Sequence, residues 1–359
     1  MTAPAQRPSS PGSRASATLQ RVAKAHMLAM NLLNKAVSEG ETIPNEAILY
    51  HAQQAVEHSF QWLLSIKGFN ANCYQARTHD LEYLEQVFLA ASGKESLDPQ
   101  FRRLIQLRPF GDRYRYDDGS AEIQQHNLKP QEIIKLVDDF FSYLGEEEKS
   151  SWPSIHPRDV AAKLEKNRIT PSGSGRGNNP KYMWQRAQAD VKILRILDRE
   201  PGEDGKEGEG RELDVIRGFY AQQALEKMMK VPLYSLHIRL NETHDLREAA
   251  VGLRDSNKRF RTPIQLPPGS LNLDELTCFA TKYRYSPGFF PLRRVDGAAL
   301  ATQIELYSSR LEPRIEHLLN APTPRPIRIP PAPPIITSAQ AYRPDVMSRG
   351  SAPQPRSYI

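Results

Sequence analysis

The chain has almost no cysteine and no long apolar run, and each absence narrows what it is. Of its 359 residues only Cys73 and Cys278 are cysteines, and they stand far apart. That excludes a disulfide framework and a zinc knuckle, and it suits a reducing compartment. No stretch approaches the ~20 apolar residues that a membrane helix needs, and the N-terminus lacks the apolar segment of a secretory signal. A soluble cytoplasmic protein with no membrane partner is expected. Strand-like alternation with hairpin turns is missing as well, so the fold class is predicted to be all-α. Acidic residues are absent from 1–24, where Arg7, Arg14, Arg21 and Lys24 give +4; residues 322–359 set five arginines against Asp345, again +4. The whole chain is only +6, so everything between the tails carries −2. The basic balance is therefore weak support for a basic nucleic-acid face on the folded body.

What is present in quantity is repetition. Tyr50-His51-Ala52-Gln53-Gln54-Ala55-Val56-Glu57-His58 returns 169 residues later as Phe219-Tyr220-Ala221-Gln222-Gln223-Ala224-Leu225-Glu226-Lys227. Thr-His-Asp-Leu follows each copy, at Thr78–Leu81 and Thr243–Leu246. Farther on come Arg113-Tyr114-Arg115-Tyr116 and Tyr283-Arg284-Tyr285. Three anchors in one order mean a duplicated unit, and the period is far too long for a solenoid.

Periodicity places the helices. Val22, Met27, Met30, Leu33 and Val37 predict a helix from Ala15 to about Ser38. A second starts near Pro44 and ends at Gly68; on it Ile48, Ala52, Ala55, Val56, Leu63 and Ile66 share one face and Gln53, Glu57 and Gln61 another. Thr78 is read as the N-cap of a third, with Asp80 in its first turn. A short helix is predicted within Pro99–Leu107, and a last one from Pro130 to about Leu144. The second copy repeats the plan: Lys181–Leu197, Glu212–Met229 stopping at Pro232, a helix capped by Thr243, one near Leu273–Tyr283, and Ala298–Leu319. The expected organisation is a disordered 1–14, a helical bundle over 15–145, a linker over 146–180, a second bundle over 181–321, and a disordered proline-rich tail over 322–359.

The repeated anchors resemble the HEPN family, small up-and-down helical bundles named for nucleotide binding. The resemblance rests on Ala52–Glu57 (with His58 where the family has lysine), Ala221–Lys227, the two Thr-His-Asp-Leu segments and the later Arg-Tyr pairs. It covers both helical units and neither tail nor linker. It implies bundle-to-bundle pairing, which a tandem copy makes as a pseudo-dimer within one chain, the two Gln/His sets facing a shared cleft. It further implies a non-catalytic module whose partner is nucleotide or RNA.

The candidate ligand-binding residues are Gln53, Gln54, Glu57, His79 and Arg115, with Gln222, Gln223, Glu226, His244 and Arg284. Physically, glutamine offers donors and an acceptor, a histidine at a helix N-terminus suits an anion, and arginine between tyrosines suits a phosphate beside a base. The same residues have structural readings: Thr-x-Asp as a cap, the glutamines as interhelical hydrogen bonds, the arginine as a partner of Glu57 or Glu226.

Many HEPN proteins are metal-independent ribonucleases whose signature is an Arg, four to six intervening residues, then a His. Arg239-Leu-Asn-Glu-Thr-His244 matches that spacing, so a toxin- or defence-type nuclease using Arg239 and His244 is the alternative. The match falls earlier in the fold than the family's motif, and the first copy lacks it. A third reading is an interaction scaffold whose tail recruits a partner through Arg328, Pro331 and Pro334, an Arg-x-x-Pro-x-x-Pro pattern. Gly173–Gly177 lacks a preceding strand and a Lys-Ser/Thr ending and reads as linker. His51 and His58 have no acidic or cysteine partner at ligand spacing and read as solvated side chains. No metal and no cofactor is expected.

Overall fold

Helices alone make up the regular structure among the described residues of this computed structural model, which are 11–69, 80–111, 128–157, 159–160, 164, 179–199, 211–236, 238, 244–258, 263–280 and 295–320. In chain order the helices are α1 (Pro11–Ser38), α2 (Asn45–Ile66), α3 (Leu81–Ser92), α4 (Arg102–Ile105), α5 (Pro130–Lys149), α6 (Pro180–Asp198), α7 (Arg211–Ser235), α8 (Leu246–Asn257), α9 (Leu273–Ala280) and α10 (Gly297–Asn320). The all-α expectation stands. The linker, the 201–210 insertion and the tail beyond Asn320 lie outside the described residues.

Two helices are central. α2 is buried on every side from Ala47 to Leu64, and α7 is buried from Ile216 to Leu233. Around α2 pack α1, α3 and α5; around α7 pack α6, α8, α9 and α10. The surrounding helices show the one-sided periodicity of amphipathic helices: Leu81, Leu84, Phe88 and Ala91 on α3, Ile133, Val137, Phe140 and Leu144 on α5, Ala301, Ile304, Tyr307, Leu311 and Ile315 on α10. A central helix has no solvent face, so its polar side chains must find partners inside the protein. That requirement shapes the site.

Four expectations need correction. The cap of α3 is Asp80, whose carboxylate accepts from the backbone N–H groups of Glu82 and Tyr83, and the cap of α8 is Asp245, which accepts from Arg247 and Glu248. The cap position therefore falls on the aspartate rather than on the threonine two residues earlier, because each helix begins at the leucine; Thr78 and Thr243 themselves lie outside the described residues. α7 does not stop at Pro232 but runs through it to Ser235, held by the buried Val231 and Leu233 on either side. α5 extends to Lys149 rather than ending at Leu144. Finally, His51 and His58 are not solvated: both are buried.

α1 packs on α6 and α7 as well as on α2 and α5, and one continuous apolar core includes residues from α1 through α10. Ion pairs flank these contacts. Glu41, in the turn after α1, holds Lys192 of α6 at 3.0 Å and Arg199, the residue that follows α6, at 2.9 Å. Glu46 lies 3.7 Å from Arg186.

Candidate functional site

The duplicated motif builds two buried polar seams, one along each central helix. On α2 the Glu57 carboxylate accepts from Gln53 and Gln54, each at 3.0 Å, and from Gln61 at 3.4 Å. Gln54 also donates to the Gln53 carbonyl oxygen. The i, i+3 and i, i+4 spacing of these residues puts all of them over one stripe of the helix. The Gln53 amide is backed by Gly111, where an added Cβ would stand 2.9 Å from the amide nitrogen.

On α7 the seam keeps this geometry and adds charge. Glu226 accepts from Gln222 at 2.7 Å and from Gln223 at 3.4 Å, as Glu57 does from its own pair. Lys230, at the position of Gln61, donates to the other carboxylate oxygen at 2.6 Å. His244, just before α8, places Nδ1 3.1 Å from Glu226, and its carbonyl accepts from Gln222 at 3.1 Å. Burial alone would push the Glu226 carboxyl up, but the His244 hydrogen bond and the Lys230 charge outweigh it and bring the pKa down to about 2.

The residues following each glutamate diverge in the same way. Lys227 reaches α6 and donates to Asp190 at 2.6 Å. Burial raises the Asp190 carboxyl while the Lys227 charge pulls against it. The corresponding His58 stacks instead on His26 of α1, ring centroids 5.6 Å apart and nearly parallel, and its Nδ1 lies 3.1 Å from Gln61. An ion pair in one copy is a pair of imidazoles in the other.

The two central helices also touch each other, at positions that are equivalent in the repeat. Tyr50 stacks on Phe219, its counterpart 169 residues on, with centroids 5.9 Å apart. His51 Nε2 lies 2.9 Å from the hydroxyl of Tyr220, again its own counterpart, and His51 Nδ1 lies 2.8 Å from His26 Nδ1. His51 is wholly buried, and burial drives its pKa down to about 3.

Gln53, Gln54, Glu57, Gln222, Gln223 and Glu226 are thus buried and engaged with one another, and His244 is the most exposed of the described seam residues, its side chain 26% accessible. His79, Arg115, Arg239 and Arg284 lie outside the described residues, as do Arg328, Pro331 and Pro334. Sequence reasoning missed His26, Asp190, Tyr220 and Lys230. Lys230 was within reach, since a lysine four residues after a glutamate is a helical ion pair; Tyr220 was visible in the repeat alignment as the mate of His51. Among the described residues no group of three or more His, Cys, Asp or Glu is placed to hold a metal ion, and no helix is long and apolar enough to cross a membrane.

Comparison with protein-family models, with curated proteins and with solved structures finds no match. The functional reading therefore rests on the residues themselves.

Proposed function

We propose that the chain is a non-catalytic nucleotide- or RNA-binding protein of the cytoplasm, built as two HEPN-like helical bundles paired within one chain. Support for the pairing comes from the equal-register contacts of Tyr50 with Phe219 and of His51 with Tyr220. Contacts between equivalent residues are what a two-fold, isologous interface has along its axis. The apolar middle and the Glu41 and Glu46 ion pairs at its margin follow the usual anatomy of an interface.

The observation that carries the binding reading is the anchoring of His244. Its Nδ1 is engaged by a buried carboxylate that Lys230 and two glutamines hold in place, while part of its ring reaches the surface. A carboxylate behind an imidazole fixes the ring's orientation, so that the exposed edge meets a phosphate or a base edge without first being ordered. The duplicated glutamines then act one step back, by holding Glu226.

A second reading draws on the same contact. A carboxylate-oriented histidine is also the arrangement of a general acid/base, which favours the metal-independent ribonuclease. That reaction requires Arg239 in addition, whereas binding requires only the anchored imidazole, so binding is the leaner conclusion. Native mass spectrometry of freshly purified protein should show retained nucleotide or RNA. His244→Ala should weaken retention about tenfold or more, the scale of one lost partner in a desolvated site, and Arg239→Ala should leave it unchanged. Protein that carries no nucleotide or RNA and takes up none when offered would defeat the proposal. RNA hydrolysis in EDTA that disappears with Arg239→Ala in a folded protein would establish the ribonuclease instead.

A further inference from the structure

The seams do not use the buried imidazoles at the meeting point of α2 and α7. His51 spends one ring nitrogen on His26 of α1 and the other on Tyr220 of α7, so a single side chain ties three helices together. Its ring neighbours are aromatic: Tyr50 at 5.3 Å, Tyr220 at 5.6 Å and His26 at 5.1 Å between centroids. The titratable groups that face it are His26 from α1, Tyr220 from α7 and Tyr50 from α2 itself, with His58 stacked behind His26. Among the described residues, neither α3 nor α5 contributes one to its contacts, and no carboxylate or ammonium touches its ring.

Proton counting shows what this arrangement tolerates. Two Nδ1 atoms 2.8 Å apart share one proton, one ring donating and the other accepting. If His51 donates there, its Nε2 accepts from the Tyr220 hydroxyl; if His26 donates, His51 Nε2–H donates to that hydroxyl. Both tautomers keep His51 neutral and both of its nitrogens satisfied. A second proton on His51 itself has no good place to go: it sets two N–H groups against each other, or it leaves a charged ring at a wholly buried position, which is costly.

We propose that the His26–His51–Tyr220 chain is an acid-released latch between the α1/α2 and α7 helices: it holds while the imidazoles are neutral, and mild acid opens that contact before the helices themselves unfold. The cause is thermodynamic. The closed form disfavours a proton on His51, whereas an opened, hydrated imidazole takes one at its ordinary value near 6.5. Below that pH the open form is the better proton binder, so the equilibrium shifts toward it about tenfold for each pH unit per histidine charged. The marginal ion pairs do not trigger the change. Hydrogen bonds from Arg199 and Lys192 hold the Glu41 carboxyl below its ordinary range, so it stays charged through the same window.

Amide hydrogen exchange on the full chain, corrected for the intrinsic pH dependence of exchange, tests the latch. Between pH 6.5 and 5, protection around residues 51–58 and 219–223 should fall about tenfold per pH unit, while the buried amides of α5 and α10 stay constant. His51→Asn, which keeps a donor and an acceptor but does not titrate in this range, should flatten the dependence. Tyr220→Phe keeps the ring and removes the hydroxyl; it should leave the same segments less protected already at pH 7. The proposal fails if wild-type protection is flat, if every helix loses protection together, or if the slope survives His51→Asn. Should His51→Asn not fold, Tyr220→Phe with unchanged protection at pH 7 is sufficient to reject it.

Discussion

Glu226 shows how a single buried charge is kept. Four side chains donate to or pair with its carboxylate, one of them the ammonium of Lys230 at 2.6 Å. Glu226→Gln removes the carboxylate with which that buried ammonium pairs, and loss of one member of a buried pair costs about 3–5 kcal/mol. The variant's denaturant midpoint should drop accordingly, and a midpoint equal to wild type would mean the cluster relaxes into water. Because the folded carboxyl is brought down to about 2 from an ordinary 4.5, its stabilisation is full above pH 4.5 and is lost as pH falls through about 2. Wild-type stability should slope across that interval, and Glu226→Gln should remove part of the slope. The caps give a second test. Asp245→Ala should cost about 1 kcal/mol by removing the acceptor of two N–H groups, and Thr243→Ala distinctly less; equal losses on thermal melting would return the cap to the threonine. Here the sequence was ambiguous for a plain reason. Threonine and aspartate are both capping residues, and choosing between them needs the helix register. Polar side chains on α2 were equally hard to place. Gln53, Glu57 and His58 look like a solvated face until the helix is known to be enclosed on all sides.

At the scale of elements, α7 and α9 pack with no room to spare at one point. At Gly218 an added Cβ would lie 2.4 Å from the Phe279 ring of α9, so α7 and α9 approach through the missing side chain. Gly218→Ala gains helix propensity but forces the ring aside, and overpacking of this kind costs about 1–3 kcal/mol. Thermal unfolding of Gly218→Ala, Phe279→Leu and the double variant should show the smaller ring relieving the alanine. Additive losses would indicate that the two helices separate freely. The same helix explains a misjudged boundary. A proline argues for a stop because it removes an N–H and crowds the preceding turn, yet Pro232 lies inside α7 between the buried Val231 and Leu233. Local propensity was legible, whereas the tertiary burial that overrides it was not. Helix order and the repeat were readable because long amphipathic stretches carry their own period.

For the whole molecule, the residues up to Asn320 form one compact unit. A chain truncated after Asn320 should keep its cooperative thermal transition with a similar midpoint, since 321–359 is rich in proline and arginine and poor in apolar side chains able to build a core. Loss of cooperativity would assign the tail to the fold. The contact between α2 and α7 has a further meaning. On a true two-fold axis between identical chains every residue meets its own copy, so a histidine there faces a histidine and any substitution changes both sides together. A chain that carries both copies is released from that rule. His51 faces Tyr220, and His58 and Lys227 have taken different partners on their preceding helices. In the pairing proposed above, fusion would turn a self-matching surface into two surfaces that can be mutated one at a time, and the covalent link would make a donor–acceptor pair of unlike residues available where the two copies meet.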